Sequence, residues 1–82
     1  METEYLTAEQ ALQFIHLCEQ NGIFIFGIER FLLIEGMSTP DLDGIADFSS
    51  LSPEDVNGAV SSARRFLSLF GDVNDERFKL VY

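Results

Sequence analysis

Few residues in this chain are equipped for chemistry. His16 stands three positions before Glu19, the arrangement in which a carboxylate orients an imidazole for general-base work. The pair reads more simply as a helix-surface histidine beside a glutamate, because no nucleophile accompanies it. Cys18 points to a different helical face, so it forms no couple with His16. As the one cysteine it reads as a small buried apolar group. One histidine and one cysteine do not assemble a structural zinc site. Asp41-Leu42-Asp43-Gly44 with Asp47 has part of a calcium-loop pattern, but Ile45 and Ala46 follow the glycine and Ser52 stands where the closing Glu belongs. Glycine-rich phosphate loops, nucleophile elbows and Ser–His–Asp arrangements are missing from the sequence. The residues therefore predict no catalytic group, no cofactor and no metal, and favour a binding module over an enzyme.

Charge says more. Between Phe31 and Ala63 stand six acids (Glu35, Asp41, Asp43, Asp47, Glu54, Asp55) and no Lys or Arg, in a chain of net charge −9. Such a surface repels nucleic acid and anionic membrane and attracts basic proteins or cations. Aromatic residues do not alternate with Lys or Arg, so no stacking platform for nucleic acid is expected. Several acids have an internal explanation. Glu54 and Asp55 face the positive end of a second helix, Glu9 that of the first, and Glu76 is placed to pair with an Arg or Lys on a neighbouring strand. Glu35, Asp41, Asp43 and Asp47 have no such role in a stretch free of bases. Like charges this dense oppose folding within a screening length of about 8 Å, and a cationic partner would remove the repulsion.

The elements that must position these residues follow from pattern. Eighty-two residues make one domain, and an apolar content of 46 % is that of a globular chain. Thr7-Ala8-Glu9-Gln10 is a capping box, and Ala8, Ala11, Leu12, Ile15 and Cys18 repeat at helical spacing up to the stop at Asn21-Gly22. Ile23-Phe24-Ile25-Phe26 has the composition of a strand buried on both faces, with a bulge or bend at Gly27 and extended structure resuming from Ile28 to Ile34. Gly36 to Pro40 reads as a turn and Ile45 to Phe48 as a third short strand.

Ser52-Pro53-Glu54-Asp55 predicts a second helix capped by Ser52, with Leu51 and Val56 as its hydrophobic staple. Val56, Val60, Ala63, Leu67 and Phe70 form the buried stripe of that helix, which is expected to end at Gly71. Phe78, Leu80 and Tyr82 alternate as in a half-buried strand. The expected fold is α+β and two-layered: a small, mainly antiparallel sheet packed against two helices, in the order helix, strands, helix, strand. The most apolar run, Ile23 to Ile34, is too short and too charged to cross a bilayer, and Met1 to Leu6 lacks the basic start of a signal peptide. The expectation is a cytoplasmic protein.

The helix carrying Cys18, followed by Gly22-Ile23-Phe24-Ile25-Phe26-Gly27-Ile28-Glu29, resembles the opening of the small immunity protein that neutralises the anticodon-cleaving tRNase colicin. The resemblance covers mainly Ala8 to Glu29. In size and acidity the chain is also similar to immunity proteins of contact-dependent growth-inhibition systems. The resemblance implies an inhibitor that binds a basic nuclease toxin, an RNase in the colicin case, and blocks its RNA-binding cleft. Glu35, Asp41, Asp43 and Asp47 would then contact Lys and Arg of the toxin. Phe48 would be an apolar anchor among them, and Glu29 a further contact carried over from the resemblance. The alternatives are an acidic nucleic-acid mimic or other interaction module outside any toxin system, and a small calcium-binding domain.

Overall fold

A computed structural model describes residues 1–71 and 74–82. The elements are α1 (Ala8–Asn21), β1 (Gly27–Ile34), β2 (Met37–Asp47), α2 (Val56–Ser68) and β3 (Glu76–Val81). The strands form one antiparallel sheet in the order β2-β1-β3, with both helices contributing to a shared core. This is the α+β arrangement of two helices and a small antiparallel sheet that the pattern predicts.

Local chemistry sets the first helix as expected. The Thr7 hydroxyl accepts from the Gln10 amide at 3.2 Å, the Gln10 side chain accepts from the Thr7 amide at 3.0 Å, and Gly22 closes the helix at φ 65°. The second helix starts later than its sequence suggests. Asp55, not Ser52, is the N-cap, its carboxylate accepting from the Gly58 amide at 2.9 Å. Ser52-Pro53-Glu54-Asp55 is instead a turn in which the Asp55 amide donates to the Ser52 carbonyl at 2.8 Å. Serine followed by proline suits such a turn as well as it suits a helix start. The cap shift also puts Leu51 outside the staple position, although Leu51 and Val56 still pack on the core. The helix ends at Ser68, short of Gly71.

The strand boundaries differ too. Ile23–Phe26 is an extended link, not a strand. Only Phe24 and Ile25 are buried there, while Ile23 and Phe26 are exposed. Phe26 alone joins the sheet, donating to the Val81 carbonyl at 2.7 Å and accepting from the Phe48 amide at 2.8 Å. β1 starts at Gly27, where a Cβ would lie 2.7 Å from the Ala46 carbonyl oxygen, so the strands can close there only on a glycine.

The segment read as a turn, Gly36 to Pro40, lies within the hairpin arm. Its turn is confined to Glu35 and Gly36, both at positive φ, and β2 runs on through Pro40 to Asp47 as one strand. Proline is tolerated because β2 is an edge. The Leu33 amide donates towards the β3 side, to Asp75, so Leu32 and Ile34 must bond to β2. Their partners Thr39 and Met37 face inward, and Pro40, two places beyond Ser38, turns its missing donor to solvent.

The core gathers Ala11, Ile15 and Cys18 from α1, Ala59, Val60, Ala63 and Leu67 from α2, and Ile28, Phe78 and Leu80 from the sheet. Burial raises the pKa of the Cys18 thiol above its ordinary value. Met1–Leu6 covers the outer edge of β3, with backbone bonds from Thr3 to Leu80 and between Leu6 and Phe78 in both directions. Tyr5 then folds over the sheet face away from the helices and packs edge-on against Phe31 at 4.9 Å. No helix among the described residues is long and apolar enough to cross a membrane.

Candidate functional site

The acids that the sequence leaves unexplained all fall on the β1–β2 hairpin. β1 and β2 pair in register from Ile34↔Met37 to Phe31↔Pro40, and again from Glu29↔Ile45 to Gly27↔Asp47. Between these stretches the four residues Asp41–Gly44 stand opposite the single residue Arg30. They form a four-residue bulge. Asp41, Asp43 and Asp47 therefore lie on a bulged edge strand, and Glu35 in the turn that leads into it.

Arg30 explains the bulge. Its Nη1 donates to Asp41 Oδ2 at 2.8 Å and its Nε to Glu76 Oε1 at 2.9 Å, while its guanidinium sits 4.5 Å from the centroid of the Phe70 ring. One cation thus ties together β1, β2, β3 and the residues after α2. Burial alone would lower the Arg30 pKa, but the hydrogen bonds and charges of Asp41 and Glu76 carry it above its ordinary value. Gly44 is the residue that lets the bulge close over this side chain, since a Cβ there would meet Arg30 Cβ at 2.7 Å and Asp41 Oδ2 at 2.9 Å. Asp41 Oδ1 accepts from the Asp43 amide at 3.1 Å and completes the local turn.

The expected contact set changes accordingly. Asp41 was to have no internal partner; it has one, and its charge belongs to the fold. Phe48, expected as an exposed anchor, is 9 % exposed and lies in the core, because alternation puts it on the same face as Ala46, which packs on that core. Glu29 is half-buried on the sheet face away from the helices, opposite Lys79 in β3. Glu35, Asp43 and Asp47 are exposed and form no ion pair among the described residues. Hydrogen bonds from Ser49, first its side chain and then its amide at 2.9 Å, hold the Asp47 carboxyl below its ordinary value. The structure therefore does not gather the four acids on one patch. It strings three unpaired carboxylates along one hairpin, from Glu35 at the tip to Asp47 at the base.

The tip has features that charge patterning missed. Glu35 is the one non-glycine residue at positive φ among the described residues (52°), and Gly36 follows at 79°. Two consecutive left-handed residues make a tight hairpin turn that prefers Asn, Asp or Gly at its first position. Glutamate there costs the fold about 1 kcal/mol. Ile34 and Met37 face each other across that turn and are 52 % and 72 % exposed. The signal was present in Ile34-Glu35-Gly36-Met37 as a two-residue hairpin, but Pro40 drew the expected turn past it.

The remaining candidates are structurally committed or isolated. His16 Nδ1 is 3.9 Å from Glu19, but Glu19 accepts two hydrogen bonds from Arg64 at 3.0 and 3.2 Å. Arg64 lowers the Glu19 pKa and Glu19 raises that of Arg64, so the carboxylate serves an interhelical pair. Glu76 pairs with an arginine of the neighbouring strand, as its position suggested, and is 2 % exposed. In the partial calcium pattern Asp41 is already held by Arg30, and among the described residues no three His, Cys, Asp or Glu side chains gather as metal ligands. In comparison with known proteins, the chain matches no family model, no curated protein and no solved structure.

Proposed function

We propose that this chain is a cytoplasmic, non-enzymatic inhibitor of the immunity type, which binds a basic bacterial toxin nuclease, an RNase in the nearest reading, through the β1–β2 hairpin. The observation that carries the reading is the hairpin's charge: Glu35, Asp43 and Asp47 stand exposed and unpaired among the described residues, in a chain of net charge −9. A nuclease is positive where it holds phosphates, so carboxylates displayed on a rigid arm complement that cleft and compete with RNA. Opposite potentials also accelerate encounter beyond the roughly 10⁵–10⁶ M⁻¹s⁻¹ of neutral pairs, which suits a protein that must capture a toxin before it acts. The fold supports this role by withdrawing Asp41 into the Arg30 clamp, which stiffens the arm that carries the other three.

The test is D43K/D47K measured against the purified protein encoded beside this gene. Binding should weaken at least tenfold and lose most of its salt dependence, with the far-UV circular dichroism unchanged. Unaltered binding by that variant would move the interface off the acids of β2.

A further inference from the structure

Resting on that reading, we infer that the hairpin tip, Ile34-Glu35-Gly36-Met37, is an insertion element that enters a cleft with apolar walls and a Lys or Arg at its floor. Three observations converge on the tip. Glu35 occupies a left-handed backbone position where a shorter side chain or none would be easier, so the turn itself gains nothing from its length. That length carries a carboxylate to the far end of an arm on a molecule 40 Å long and 22 Å across. Ile34 and Met37 flank it as a directly opposed cross-strand pair, both more than half exposed.

β1 also outruns its second neighbour. β3 pairs with β1 only from Gly27 to Leu32, so Leu33 and Ile34 have β2 alone for a paired strand. The tip is thus a narrow wedge with two apolar flanks and one acid at its apex. Charge complementarity selects the occupant. Among the described residues the apex acid forms no ion pair and the flanks have no apolar cover. A cationic cleft satisfies both at once. A second copy of this chain, itself of net charge −9, would instead bring like charge towards Glu35.

Glu35→Asn separates the two roles of this position, since asparagine accepts the left-handed backbone readily but carries no charge. The experiment measures melting temperature and affinity for the purified product of the adjoining gene, with I34S/M37S as a second variant and D43K/D47K alongside. Glu35→Asn should melt at or above the wild-type temperature yet bind at least tenfold more weakly, and I34S/M37S should also lose at least tenfold while remaining folded. If wild type binds and Glu35→Asn binds equally well, insertion of the tip is overturned while the immunity reading survives. If wild type does not bind that protein, both fall together.

Discussion

Replacing Arg30 by methionine keeps the length of the side chain and its packing on Phe70 while removing the charge that Glu76 and Asp41 share. The side chain of Glu76 is only 2 % exposed, and its Oε2 already lacks a hydrogen-bond partner, so its charge is held by Arg30 through Oε1. Deleting the cation strands a buried carboxylate. Breaking a buried pair from one side costs about 3–5 kcal/mol, because the remaining ion keeps its desolvation penalty without compensation. A domain of this size has roughly 4–12 kcal/mol in total. Arg30→Met should therefore lower the melting temperature by on the order of 20 °C. The chain has no tryptophan, so far-UV circular dichroism during urea or thermal unfolding is the appropriate readout. R30M/E76L should recover most of the loss, since apolar replacement of a whole buried pair is commonly neutral or stabilising. Asp41→Asn should cost only about 1 kcal/mol, because Glu76 still neutralises Arg30. A loss below about 1 kcal/mol for Arg30→Met, or no recovery in the double variant, would show that the cluster does not hold the sheet together.

Two further outcomes follow from local geometry. Asp55→Ala should destabilise the domain by about 1 kcal/mol in urea titrations through loss of the Gly58 amide bond, whereas Ser52→Ala should cost no more than a few tenths, the reverse of what the Ser-Pro start suggests. Asp47 and Glu19 both have lowered folded-state values, so their contributions are present above their ordinary values of 3.8 and 4.5 and are lost as pH falls through the lower folded ones. Stability followed by circular dichroism should accordingly begin to fall only below about pH 4.5.

The first helix and the alternating last strand were legible because their signals are local. A capping box fixes a start, a left-handed glycine fixes a stop, and period-two burial fixes a face. The hairpin was harder because its rules are set by neighbours. Pro40 reads as a turn residue until the strand beside it shows that its missing donor points to solvent. Asp41 reads as an orphan acid because its partner, Arg30, is eleven residues back and lies across a bulge that no local pattern announces. Phe48 looked available because it follows an exposed acid, yet alternation turns it under the sheet. For Pro40 and Asp41 the deciding contact lies across the sheet, where propensity carries no information.

The acids of β2 admit one competing account, and the fold separates it from the binding account at a single residue. An edge strand must resist pairing with other chains, and natural edges do so with proline, bulges and charge. β2 has all three: Pro40 with its absent donor facing out, the Asp41–Gly44 bulge, and exposed Asp43 and Asp47. Edge protection therefore accounts for much of β2 without any partner. It does not account for Glu35. That residue sits in the turn, outside the β1–β2 ladder, where a charge protects no edge and where asparagine or glycine would make the turn more stable. Edge protection alone gives no reason for glutamate in a left-handed position between two exposed apolar residues. Comparing Glu35→Asn with D43K/D47K therefore weighs recognition against edge protection, because only recognition requires the carboxylate at the tip.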